Sequence, residues 1–474
     1  MMRTSAGSGE PPARRPGPGP DPNDPGLLSA AEVGLLIDLY ELTMAASYLA
    51  HDMNEPAVFE LFVRRLPARR RWLLVAGLGP ALALVRSLTF GERELAYLAG
   101  LGFDAAFLHY LEAFRFTGDV DAMPEGTIAF ANEPLIRVTA PRIEAQLLET
   151  LLLNQINFQT MVATKAARIV LAVGGGRPGA GERLVDFSPR RDHGTDAAMK
   201  VARCAAIAGA GGTSNVAAAM RYGLRPVGTM AHSYVMSFPR EEDAFRAFMS
   251  DFPQRAVMLV DTYDTLDGVR HAIAAARATG VRLEGVRLDS GDLLELARGT
   301  RALLDHAGIP DAQVMASGNL EEHRIAELVA AGAPIDAWGV GTDLGTSRDS
   351  PAVDGVYKLV ADWQGGRWHG VWKDSPEKAT VPGAKQVFRR DAGGTMCGDL
   401  IAMADEHHPG EPLLVPAMRG GGLVHEASLA QMRERADSQL AALPEPLRGH
   451  DPDVEIEPYP VAWSQRCRTP GHRL

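Results

Sequence analysis

The chain has 474 residues, 46% hydrophobic and 23% charged, with a formal net charge of −11. At roughly 100–200 residues per domain, that length predicts two or three domains with ordinary buried cores. The acidic balance excludes a general nucleic-acid binder, which needs a broad positive field to displace phosphate counterions, but it allows a local basic pocket for a small phosphorylated ligand.

Residues 1–27 are rich in Gly, Pro and Ser and cannot build a core, so they read as a disordered tail without the apolar segment of a secretory signal. A loop then enters a helix expected to begin near Asp38. "PAVFELFVRRL" reads as a strand, and "GTIAFANEPLIRVTA" reads as two short strands joined at "ANEP". The apolar run "WLLVAGLGPALALV" is broken by Gly77, Gly79 and Pro80. At about 14 residues it falls short of the roughly 18–20 that a membrane span needs. Residues 141–172 carry one long helical pattern with Pro141 at its start. The expected N-terminal α+β domain therefore covers 28–150, completed by part of the C-terminal region.

From Val185 the rhythm changes to short apolar strands, each followed by an amphipathic helix. "AVMLVDT", "GVRLDSGD", "QVMASGN" and "DAWGVGTD" are the clearest, with Val260, Leu288 and Ala316 spaced 28 residues apart and Gly341 following 25 later. The helical stretches between them end in glycine, as C-caps do. Asn319 with Glu322 three residues on reads as a capping box. Such units predict a parallel sheet over 151–350, open or closed into a barrel, with ligands at the carboxyl ends of its strands. The remainder, 351–474, reads as a hairpin at "VYKLVADWQGGRWHGVWK", basic and Gly-rich loops, a helix near "SLAQMRERADSQLAAL" and an irregular tail over 445–474.

Several strand ends carry residues suited to chemistry, each with an ordinary structural explanation beside it. Arg287 and Asp289 are two apart on one strand and face the same way, either around a ligand or as a loop-fixing ion pair. Gly339, Gly341 and Thr342 form a turn able to present N–H groups to an anion, or glycines needed only for packing. Gly318 and Asn319 follow the next strand. His232, flanked by Gly228, Thr229 and Ser233, is placed at another apparent strand end, and Arg190 and Arg191 follow "RLVDF". Ser214 or Asn215 can cap the helix after "GGT". Together these residues suggest a phosphorylated-sugar site. A Schiff-base aldolase is disfavoured, because no lysine lies between 201 and 357. Cys204, Cys397 and Cys467 are scattered with no CxxC pair, which predicts a reducing compartment and, with neither signal nor span, the cytoplasm.

Read in order, "DLYELTMAASY", "FELFVRRLP", "NQINFQTMVATKAARI", "DFSPRRDHG", "GGTSNVAAAMRYGLRPVGTMAHSYVMSF", "GVRLDSGDL", "GVGT" and "KATVPGAKQVFR" resemble nicotinate phosphoribosyltransferase over about residues 34–430. The resemblance implies an irregular βα barrel of the type II phosphoribosyltransferase kind with a smaller α+β domain. It implies transfer of phosphoribose from phosphoribosyl pyrophosphate to nicotinate, coupled to ATP hydrolysis through a phosphohistidine at His232. By the same carry-over, Arg287 and Asp289 hold ribose and pyrophosphate, with Asp289 also a candidate magnesium ligand. Gly318, Asn319, Gly341 and Thr342 line the phosphate end, and Ser233 joins them in binding substrate. Arg190 meets the nicotinate carboxylate or a nearby phosphate. Ser214 replaces an aspartate of the nicotinamide-using relatives, and Tyr40, with Asp38, stacks on the pyridine ring from the second subunit of a homodimer. Ser188 and Pro189 depart from the glycine and leucine common in the family. The competing expectations are a transferase for nicotinamide or another pyridine acid and a catalytically inactive metabolite sensor.

Overall fold

The computed structural model describes residues 27–29, 32–67, 69–373, 380–424, 426–450 and 454–468, so the expected tail over 1–27 lies, but for Leu27, outside the described residues. Six parallel strands form the core of the second half of the chain. In spatial order they are Gly212–Thr213, Leu184–Asp186, Ala337–Val340, Gln313–Ala316, Gly285–Leu288 and Val257–Leu259. Every pairing is parallel, and a bridge from Thr213 to Pro226 prolongs one edge. The expected irregular barrel is thus a curled half-barrel. Its strands are short apolar runs because helices cover them: Val286, Leu288, Val314, Ala316, Trp338 and Val340 are all fully buried. The covering helices start on side-chain caps, Asp264 for Thr265–Thr279 and Asp292 for Leu293–His306.

The capping box expected at Asn319 is not formed. Helix Glu322–Ala330 is capped instead by the Glu321 carboxylate, which accepts from the amides of His323 and Arg324 at 2.9 and 2.7 Å. Asn319 sits in the left-handed region with φ of +47°. Glu322 turns inward, where Lys165 and Arg168 neutralise it at 2.5 and 2.9 Å. The electrostatic demand of two buried cations outweighs the capping role.

A seven-stranded antiparallel sheet makes the other large unit and draws on both ends of the chain. Its order is Arg367–Gly370, Gly355–Gln364, Pro56–Val63, Pro134–Pro141, Asp119–Ala122, Val415–Arg419 and Gly422–Leu423. The expected single helix over 141–172 is two, Arg142–Gln146 and Glu149–Val173. At the break, the Thr150 amide donates to the Glu41 carboxylate at 3.2 Å, where an unbroken helix would use the Gln146 carbonyl. The longer helix joins the two units. Its Thr164 and Thr160 hydroxyls accept from the amides of Leu74 and Ala76 on one side, and Lys165 and Arg168 reach Glu322 on the other.

Two expectations for the C-terminal region are corrected. The stretch read as loops contains the paired strands Lys385–Ala392 and Thr395–Met403. The tail read as irregular contributes the strand Val461–Trp463, parallel to Thr395–Met403, and the short helices Glu445–Arg448 and Gln465–Arg468. Among the described residues no helix is long and apolar enough to cross a membrane.

Candidate active site

Arg287 and Asp289 leave strand Gly285–Leu288 on the side opposite the buried Val286 and Leu288. The guanidinium donates to Asp289 Oδ1 at 2.6 Å, to Ser317 Oγ at 2.8 Å and to Thr229 Oγ1 at 3.4 Å. It also lies 5.2 Å from the centre of the Phe187 ring. The Ser317 hydroxyl donates to the same Asp289 oxygen. Burial alone would raise the Asp289 pKa, but the Ser317 hydrogen bond and the Arg287 charge outweigh it and hold the carboxyl below its usual range. The loop-fixing ion pair is therefore real. It leaves Oδ2 of an ionised carboxylate pointing into the site.

Asp261, passed over in the sequence, ends the neighbouring strand region in the same way. Its Oδ2 accepts from the Asp289 amide at 3.1 Å and the Ser290 hydroxyl at 2.6 Å. Its Oδ1 is buried with no hydrogen-bond partner. The signal was available, since "LVDTYD" repeats the strand-then-aspartate form of "RLDSGD" one unit earlier. His232 does not end a strand, as expected, but opens the short helix His232–Met236 after an irregular approach. Its Nδ1 lies 3.1 Å from Thr262 Oγ1, and its Nε2 lies 4.0 Å from both Asp261 Oδ1 and Asp289 Oδ2. With 39% of its side chain exposed, the ring is held from behind and open in front.

The glycine turns fit closely against these groups. Gly318 has φ of +85°, and a Cβ there would fall on the Asp289 carbonyl oxygen. Only glycine permits the following loop to lie over Asp289. Gly339 is explained by packing, since a Cβ would strike the Phe187 ring. Gly341 precedes the one-turn helix Thr342–Thr346 and meets only the Phe187 carbonyl. Phe187 is thus a second site residue that the sequence did not single out.

Ser214 lies beside this group and donates its amide to the Asp186 carbonyl at 2.8 Å, while Asn215 caps the following helix. Arg190 is exposed in the turn after Leu184–Asp186 and makes no hydrogen bond or ion pair among the described residues. Ser233 is exposed beside His232. Tyr40 is not brought to the strand ends within one chain: its charged neighbours are Glu149, Glu41 and Asp38. Among the described residues no group of three or more His, Cys, Asp or Glu is arranged to hold a metal. Asp261 and Asp289 supply two carboxylates, and the orphaned Asp261 Oδ1 would suit a hard cation.

The sequence matches the nicotinate phosphoribosyltransferase N-terminal domain over residues 35–157 and the nicotinate phosphoribosyltransferase family over residues 183–378. It is 49% identical to nicotinate phosphoribosyltransferase pncB2 of Mycobacterium tuberculosis over 91% of this chain and 92% of that one. It is 44% identical to nicotinate phosphoribosyltransferase of Bacillus subtilis over 79% and 77%. The fold is similar to the crystal structure of human nicotinic acid phosphoribosyltransferase, with a TM-score of 0.79 at 29% identity, covering 91% of this chain and 98% of that one.

Proposed function

The chain belongs to the nicotinate phosphoribosyltransferase family and joins nicotinate to phosphoribosyl pyrophosphate, giving nicotinate mononucleotide and pyrophosphate for NAD biosynthesis, and we propose that it drives this transfer with ATP by phosphorylating His232. The observation that carries the proposal is the histidine ring, fixed at Thr262 and open toward Asp261 and Asp289. The γ-phosphoryl group passes from ATP to an imidazole nitrogen, ADP leaves, and the phosphohistidine later yields its phosphate to water. Arg287 and Asp289 hold diphosphate and ribose hydroxyls. The ionised Asp289 places negative charge where the ribose becomes oxocarbenium-like, a stabilisation that is electrostatic and positional. Backbone N–H groups around Gly318–Asn319 and Gly341–Thr342 take phosphate oxygens.

Magnesium, when bound, would neutralise phosphate charge, and Asp289 and Asp261 are the residues that would hold it. Arg190 meets the nicotinate carboxylate, with Ser233 completing the substrate contacts beside His232. Ser214 presents no negative charge to nicotinate, which favours the acid over the amide. A homodimer completes the site. Leu39 and Tyr40 are exposed at the start of helix Leu39–Ala50, and Val216 and Met220, 72% and 85% exposed, project from the helix after Ser214. Joining those two apolar faces between copies sets Tyr40 over Ser214. Three unpaired cysteines fit a reducing cytoplasm. The test is incubation with γ-labelled ATP: acid-labile phosphate should appear on the protein and vanish in His232→Ala, and unchanged labelling in that variant overturns the assignment.

A further inference from the structure

The turn that carries Arg190 is closed by two carboxylates sharing one hydroxyl. Ser188 is fully buried, and its carbonyl accepts the amides of Arg191 and Asp192 at 2.6 and 3.2 Å, which folds the turn. Its hydroxyl oxygen lies 2.6 Å from Asp186 Oδ1 and 3.1 Å from Asp192 Oδ2. A serine hydroxyl has a single hydrogen and can satisfy only one of them. Asp186 is the stronger claimant, since it also accepts from the Ser188 amide at 2.9 Å and the Thr213 hydroxyl at 2.8 Å. Burial raises the Asp186 carboxyl too, but its hydrogen bonds from the Ser188 hydroxyl and amide and from Thr213 oppose that rise, so Asp186 is the member of the pair that keeps the negative charge and takes the Ser188 hydrogen. Asp192, left facing an oxygen lone pair, must bring a proton of its own. Its other oxygen is buried without a partner, directed at the α-carbon of Gly345, where any side chain would collide with it. Gly345 belongs to the helix that starts at Thr342, so this carboxyl touches both the Arg190 turn and the phosphate turn.

We propose that Asp192 is a positioning residue whose protonated carboxyl, donating to Ser188, latches the Arg190 turn against the Gly341–Thr342 turn, so that nicotinate capture is coupled to uptake of a proton. The inference rests on the reading of Arg190 as the nicotinate-carboxylate residue. Burial first, then the Asp186 carboxylate, push the Asp192 carboxyl up to about 6, against smaller opposing effects of Ser188 and His193. No other charge reaches it from the packed elements. Asp343 on the adjoining helix answers to Lys165, Arg348, Glu321 and Glu322, and Asp196 of the following helix is paired with Lys200. Above pH about 6 the ionised Asp192 faces Asp186 across the shared hydroxyl, and like-charge repulsion opens the turn.

Two measurements on the full-length enzyme test this. Carboxyl-carbon NMR of aspartate-labelled protein should show a group titrating near pH 6 that is absent from Asp192→Asn and moves in Ser188→Ala. In steady-state assays the KM for nicotinate should be flat below about pH 6 and rise by up to about tenfold per unit above it. Asp192→Asn, whose amide donates to Ser188 at every pH, should abolish that rise, which a merely structural role would not do. An Asp192 that titrates in the ordinary carboxylate range overturns the shared proton, whatever Arg190 does. A normal titration near 6 with an unchanged KM profile in Asp192→Asn overturns the latch. Arg190→Ala distinguishes the underlying reading: if nicotinate KM does not change in that variant while the Asp192 titration stands, the assignment of Arg190 is the part that fails.

Discussion

Gly318 shows how little freedom single residues have at these strand ends. Its left-handed φ already costs any other residue about 1–2 kcal/mol, and a Cβ would displace the Asp289 backbone. Gly318→Ala is therefore expected to lower kcat/KM by at least about tenfold, more than its loss of stability explains, because Asp289 moves relative to Arg287 and His232. Comparing steady-state kinetics with the melting temperature checks it. Ser214 makes the complementary case. On the proposed placement of Ser214 at the nicotinate site, Ser214→Asp sets a carboxylate against that of nicotinate, so KM for nicotinate should rise by about tenfold or more. Labelling of His232 by ATP should persist in that variant, which separates substrate repulsion from collapse of the site.

At the scale of elements, the long helix Glu149–Val173 is fixed to the barrel by buried charge. Lys165 contacts Glu322 and Asp349 at 2.5 and 2.9 Å, and Arg70 pairs with Asp349 at 2.7 Å. Burial would raise the Glu322 carboxyl, but Lys165 and then Arg168 bring it down to about 2. Glu322→Gln takes the carboxylate from Arg168 and leaves Lys165 with Asp349 alone, and should cost about 3–5 kcal/mol in chemical denaturation. His450 is packed near the same cations. Burial, then Arg168, push its imidazole down to about 4 from 6.5. A depressed folded pKa means that stability present above pH 6.5 is lost as pH falls through 4, because the unfolded chain binds the proton first. His450→Gln should flatten the melting temperature across that window. The same buried contacts explain what the sequence displayed and what it concealed. The strands marked by Val260, Leu288 and Ala316 were legible because a helix-covered parallel sheet reads as apolar runs at regular spacing. Arg287 and Asp289 were legible as a pair because residues two apart on a strand share a face. Glu322 was misread as a cap because its partners, Lys165 and Arg168, are remote in sequence. Val461–Trp463 escaped because three residues carry no periodicity, and its strand partner is itself within a stretch read as loops.

For the whole molecule, the proposed exchange of Tyr40 between copies has a distinctive signature. His232→Ala and Tyr40→Ala each remove one component of every site, yet a mixed dimer rebuilds one intact site from the two. Random mixing should restore about a quarter of wild-type activity, where either variant alone has little. An assay after co-refolding checks this. The same reliance on distant chain segments governs the antiparallel sheet, where Ala57 pairs with Asp362 and Val120 with Met418. During synthesis at about 5–20 residues per second, strand Pro56–Val63 waits on the order of tens of seconds for its partner Gly355–Gln364. Throughout that interval the apolar strand has one unmatched edge, so the nascent chain is open to mispairing until residue 364 has emerged, with about 110 residues still to be made.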